Sequence, residues 1–135
     1  MARDTSPWWV NLDGNKIVKS IQRDRLYLLA PGFYANSRRE YCPECAETWG
    51  LLSYFPAIRE GLEIIYQPID QPRTGLVAML GEGRWNCPTL ILAPGADAGP
   101  DARVKEANGH RFIDNARDIG KYFAYLYGTP FPRGA

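Results

Sequence analysis

A chain of 135 residues with 16 basic and 15 acidic side chains suits one domain built on a single core. Its net charge of +1 gives no electrostatic reason to expect nucleic acid or an anionic membrane as a partner, and no apolar run is long enough to span a bilayer. The N-terminus lacks the basic start and apolar centre of a secretory leader, so the expected compartment is the cytoplasm.

In chain order, residues 1–24 read as an extension of a domain covering residues 25–135. Trp8-Trp9-Val10-Asn11-Leu12 and Lys16-Ile17-Val18-Lys19-Ser20-Ile21 flank Asp13-Gly14-Asn15, which predicts a β-hairpin. It is expected to pack on its own chain; the second option is the partner subunit of a homodimer. Arg25-Leu26-Tyr27-Leu28-Leu29 predicts the first strand of the core. Residues 30–41 read as a long loop that opens on Pro31-Gly32 and carries Arg38-Arg39 near its end. Cys45, Trp49, Leu52 and Phe55 then fall at helical spacing, until Pro56 interrupts the pattern and Gly61 ends the turn that follows.

Leu62-Glu63-Ile64-Ile65-Tyr66 is expected to be a buried strand. Residues 72–80 predict a helix with Leu76, Val77 and Leu80 on one face and Gly81 as its stop. Thr89-Leu90-Ile91-Leu92 is a strongly apolar strand. Residues 93–109, rich in Gly, Ala, Pro and Asp, read as an exposed connection to a weaker strand, His110-Arg111-Phe112-Ile113. Asp114 or Asn115 can cap the last helix, whose apolar stripe is Ile119, Tyr122, Phe123 and Leu126 before Gly128 and Pro130. The order β-α-β-α-β-β-α is that of an α/β domain.

Chemistry concentrates in Tyr41-Cys42-Pro43-Glu44-Cys45. Pro43 suits the first helical position, because its missing N–H would go unpaired there anyway. Cys42 then sits at a helix N-terminus, where free N–H groups and the positive end of the dipole favour a thiolate; Glu44 opposes this with its own negative charge. Three cysteines in a reducing compartment suit redox or metal chemistry better than a disulfide framework. Cys42 is the expected nucleophile and Cys45, one turn inside, the resolving thiol.

A CxxC at the first strand–helix junction, followed by Pro88 at the opening of the third strand, resembles the thioredoxin superfamily over roughly residues 25–127. The resemblance implies a four-stranded mixed sheet flanked by helices, with Pro88 in the cis form facing the dithiol. Cys42-Pro43-Glu44-Cys45 and Arg84-Trp85-Asn86-Cys87-Pro88-Thr89-Leu90 are similar to segments of glutaredoxins and of the N-terminal domain of glutathione transferases. In those terms no bound cofactor is expected, and glutathione would be a co-substrate. Cys87 would pair its backbone with the cysteinyl part of the tripeptide, and Asp114 and Asn115 would hold the γ-glutamyl group. Arg38 or Arg39 would meet a carboxylate, with Tyr41 and Pro43 beside the reacting thiol. Pro31-Gly32-Phe33, Tyr41 to Cys45 and Gly50-Leu51-Leu52 together resemble a small bacterial family of uncharacterised thioredoxin-like proteins.

The expected activity is thiol–disulfide exchange on a thiol or disulfide substrate. Two alternatives stand beside it. One is a non-catalytic binding or assembly module that keeps the fold; the other is a metal or iron–sulfur carrier using Cys42, Cys45 and Cys87. His110, the sole histidine, lies outside the expected site. Cys87 itself has three readings: a small hydrophobe beside the site, a third exchanging thiol, or a metal ligand.

Overall fold

Two short apolar runs, Leu26-Tyr27-Leu28 and Leu90-Ile91-Leu92, together with Leu62, supply buried side chains around which the sheet assembles. The computed structural model describes residues 23–71 and 73–134. The hairpin expected around Trp8 and Trp9 lies outside them.

Strands β1 (Asp24–Leu29), β4 (Leu62–Gln67), β5 (Thr89–Ile91), β6 (Lys105–Ala107) and β7 (His110–Ile113) form one five-stranded mixed sheet in the order β4-β1-β5-β7-β6. β1 runs parallel to β4, and the other neighbouring pairs are antiparallel. The inner strands β1 and β5 bury consecutive residues, as strands covered on both faces do. Four strands were expected. The fifth, β6, is three residues long and carries Lys105 and Glu106, the charged, short form that edge strands take. It lies inside the segment expected as an exposed connection. Asn108-Gly109, with φ of 50° and 77°, turns it back into β7.

Two further expectations are corrected. Residues 30–41 are not a plain loop: β2 (Phe33–Ala35) and β3 (Arg38–Glu40) form a separate hairpin whose central residues Asn36 and Ser37 have φ of 53° and 59°. β4 was expected to be buried, yet it is the sheet's other edge, and Tyr66 is 46% exposed.

The helices are α1 (Pro43–Tyr54), α2 (Pro56–Glu60), α3 (Thr74–Leu80) and α4 (Ala116–Tyr127). Proline opens both α1 and α2, and Gly61 ends α2. α3 starts two residues later than expected, and its Leu76 N–H donates to Gln67 of β4. α4 packs on α1 and buries Ile119, Tyr122 and Phe123, while Leu126, expected in that stripe, is 45% exposed. Asn115 caps α4 by accepting from the Asp118 N–H at 2.8 Å, and Gly128 ends it in the left-handed conformation with φ 72°. Burial works against the Asp118 carboxylate, but bonds from Asn115 and Arg103 hold its pKa below the usual range.

Register fixes which end of the sheet carries the cysteines. Tyr27 pairs with Thr89 and Leu90 with Ile113, so the end of β1, the start of β5 and the end of β7 share one edge. Asp114 follows the end of β7 directly, Cys87 lies two residues before β5, and the Leu29 N–H at the end of β1 donates to Cys45, which brings the start of α1 with Cys42 to the same end. At the opposite end, Tyr122 donates to the buried Asp24 carboxylate, and the Ala93 N–H donates to its other oxygen at 2.7 Å. No described helix is long and apolar enough to cross a membrane.

Candidate active site

Cys42 is the N-cap of α1. Its backbone is extended, with φ −78° and ψ 116°, and its sulfur accepts the Cys45 N–H at 3.2 Å. A cysteine thus occupies the position where an oxygen-bearing side chain usually satisfies a free helix N–H. That placement fixes the sulfur at the positive end of a twelve-residue helix and leaves it partly open to solvent.

Cys45 lies one turn further in and is 5% exposed. Its sulfur accepts the Leu29 N–H at 3.4 Å, which ties the helix start to the end of β1. Burial pushes the Cys45 thiol strongly up, and its bond with Cys42 adds to this, while the Leu29 N–H works the other way. Cys42, Cys45 and Cys87 are all free thiols.

Across from Cys42 lies the turn Trp85-Asn86-Cys87-Pro88, and the Cys87–Pro88 peptide bond is cis, as the family resemblance implied. The Cys42 thiol donates to the Cys87 carbonyl at 3.9 Å, a long contact in keeping with sulfur as donor. Cys87 is 7% exposed, and its own thiol points at the Trp85 carbonyl, 4.0 Å away. Burial pushes the Cys87 thiol up to about 11, against the pull of the nearby Arg73 guanidinium.

Arg73 was not singled out in the sequence, yet it organises this turn. It is 7% exposed and donates to three main-chain carbonyls: Pro68 at 3.0 Å, Ile69 at 3.0 Å and Trp85 at 2.7 Å. No carboxylate among the described residues pairs with it. Its one sequence signal is weak: a lone cation just before an otherwise apolar helix. Asn86 was also missed. Its amide donates to the Asp114 carbonyl at 2.7 Å and joins the cis turn to the start of α4.

The other expected residues divide. Tyr41 is 64% exposed beside Cys42, and Pro43 is the first residue of α1. Asp114 reaches the site through its backbone, but its carboxylate is bound by Lys105 at 2.8 Å. Asn115 spends its side chain on capping α4. Arg38 pairs with Glu40 at 2.8 Å, and Arg39 lies over the Tyr34 ring at 5.4 Å and against Gly32, whose φ of 84° and missing side chain leave room for it. Glu44 is exposed in the first turn of α1. His110 begins β7 at the far end from Asp114, away from the thiols. No three His, Cys, Asp or Glu side chains among the described residues are grouped so as to hold a metal ion.

A groove of about 740 Å³ lies elsewhere, between α1, the start of α4 and residues 130–133, lined in part by Leu51, Tyr54, Phe55, Phe131 and Pro132. It does not include Cys42.

No curated protein and no solved structure matches the chain significantly. One family, described as "Protein of unknown function (DUF3088)", matches residues 23–131, which take in the five-stranded sheet, the four helices among the described residues and the three cysteines. The chain belongs to the DUF3088 family of proteins of unknown function.

Proposed function

We propose that this protein is a thiol–disulfide oxidoreductase with a thioredoxin-like fold, Cys42 its nucleophile and Cys45 its resolving thiol. The observation that carries this reading is the Cys42 sulfur itself. It caps α1 at 3.2 Å from the Cys45 N–H, is partly open to solvent, and faces the cis Cys87–Pro88 turn at 3.9 Å. A sulfur so placed takes one helix N–H and is still accessible to a substrate.

In the first step the Cys42 thiolate attacks one sulfur of a disulfide, forming a mixed disulfide and expelling the other sulfur as a thiolate, which takes a proton from solvent. Cys45 then loses its proton and attacks the Cys42 sulfur. The Cys42–Cys45 disulfide forms and the second substrate thiolate leaves. Two electrons pass from the protein to the substrate. The Leu29 N–H stays in place to stabilise the Cys45 thiolate during the second step. A reducing compartment such as the cytoplasm would regenerate the dithiol, with glutathione as the proposed reductant. Two glutathione molecules would restore both thiols and leave as their disulfide. Tyr41, Pro43, Arg39, the Cys87–Pro88 backbone and the Asp114-Asn115 corner would form its cradle.

The reading is tested by glutathione-dependent reduction of a small mixed disulfide. Turnover should be present in the wild type and abolished in Cys42→Ser. Retained turnover in Cys42→Ser would remove the mechanism.

A second reading, a binding module without catalysis, is favoured by one observation: the apolar groove between α1, α4 and residues 130–133 lies apart from the thiols. It gains if no cysteine variant changes any thiol reaction.

A further inference from the structure

We infer that Cys87 is a second resolving thiol, able to close a disulfide with Cys42 in competition with Cys45; this rests on the exchange chemistry proposed above. Three contacts on the same turn carry it. The first is the approach of the Cys42 sulfur to the Cys87 carbonyl oxygen, 3.9 Å. A carbonyl oxygen lies about 2.4 Å from its own Cα by standard bond lengths, so the Cys42 sulfur is within about 6 Å of the Cys87 Cα. Turning about χ1 can point the Cys87 sulfur, about 2.8 Å from its Cα, toward Cys42, and rotation of the partly exposed Cys42 side chain supplies the remaining approach.

The second contact is the Cys87 thiol on the Trp85 carbonyl, 4.0 Å away. The third is the Arg73 guanidinium on that same carbonyl, 2.7 Å away. The thiol and the guanidinium therefore share one acceptor. When Cys87 loses its proton, Arg73 keeps the carbonyl satisfied and stands as a fixed positive charge beside the new thiolate. That charge has no carboxylate to neutralise it among the described residues. Burial of the thiol and the pull of Arg73 act in opposite directions, and the outcome, about 11, leaves Cys87 protonated at rest and reactive once deprotonated.

The step balances as the first resolution does. Cys42 carries a mixed disulfide with a substrate thiol. The Cys87 thiolate attacks the Cys42 sulfur, the Cys42–Cys87 bond forms, the bond to the substrate sulfur breaks, and that sulfur leaves as a thiolate that takes a proton from solvent. The Cys87 proton passes to solvent beforehand. The substrate disulfide is the oxidant, and each route delivers the same two electrons.

The test uses Cys45→Ser, reduced, freed of reductant and exposed to the aryl disulfide dithiobis(nitrobenzoate). Attack by Cys42 releases one thionitrobenzoate and leaves the other on the protein. Resolution by Cys87 then releases the second, removes the adduct mass and joins the Cys42 and Cys87 peptides in a proteolytic map. That is the expected result. In Cys45→Ser/Cys87→Ala the adduct on Cys42 should persist; the map of Cys45→Ser stands without this variant should it fold poorly. A persistent adduct on Cys42 in Cys45→Ser, or separate adducts on Cys42 and Cys87, would overturn the role of Cys87 and leave the Cys42–Cys45 chemistry standing. Failure of Cys42 to react in the wild type as well would overturn both.

Discussion

The Cys42 thiol meets the main-chain carbonyl of Cys87 across the gap between α1 and the cis turn, at 3.9 Å, while its sulfur takes the Cys45 N–H at 3.2 Å. One sulfur thus bridges two segments 45 residues apart in sequence. It is also the most accessible of the three, since Cys45 and Cys87 are 5% and 7% exposed. A short pulse of iodoacetamide on the reduced native protein should therefore label Cys42 first. Cys45 and Cys87 should lag by at least roughly tenfold, because modification of a buried thiol waits for local opening. Equal labelling of all three would contradict this arrangement.

Alkaline pH should destabilise the fold through its buried thiols and phenols. Burial pushes Cys87 from its ordinary value of 9.0 up to about 11, and Cys45 and Tyr122 move in the same direction, again mainly through burial. Below pH 9 folded and unfolded chains both hold the Cys87 proton; between there and about 11 the folded chain alone holds it, so stability falls as pH rises. The Cys87 share is roughly 2–3 kcal/mol over that window. Urea unfolding at successive pH values should show the fall, and Cys87→Ala should flatten part of it. A slope unchanged in Cys87→Ala would count against a buried, protonated thiol at this position.

Tyr122→Phe removes the hydroxyl that donates to one oxygen of the buried Asp24 carboxylate, leaving the group with the Ala93 N–H on its other oxygen. The expected cost is roughly 1–3 kcal/mol in urea unfolding. Because Asp24 lies at the end of the sheet away from the cysteines, the rate of Cys42 alkylation should stay as in the wild type. A change in that rate would mean that the two ends are coupled.

Arg73→Met leaves the Pro68, Ile69 and Trp85 carbonyls without their shared donor. The expected loss is roughly 2–4 kcal/mol, reduced somewhat because a buried cation no longer has to be desolvated. Hydrogen exchange of residues 85–89 should rise as the turn loosens. Stability and exchange equal to the wild type would remove Arg73 from the support of the turn.

Much of the fold was legible because it rests on local patterns. The apolar runs of β1 and β5, proline at the start of α1, Asn115 as a cap and Gly128 as a stop each act within a few residues. β6 escaped notice because a short charged edge strand looks like a loop; its Asn108-Gly109 turn was the available clue. β2 and β3 are joined by Asn36-Ser37, a pair that adopts the left-handed turn without the usual glycine. That Cys42 and Cys45 lie close together, one turn apart at the start of α1, was legible from spacing alone. The roles of Arg73 and Asn86 were not, since their partners are backbone carbonyls, which leave no mark on side-chain patterns.

The most direct measurement equilibrates the protein in glutathione buffers of graded ratio, quenches by acid and alkylation, and maps the cysteines by mass spectrometry. The expected result is a reversible transition in which Cys42 takes part in every disulfide formed, with Cys45 as its partner in the oxidised wild type and with no transition in Cys42→Ser. Free thiols at Cys42 and Cys45 across the whole range, or a transition that survives in Cys42→Ser, would contradict the account.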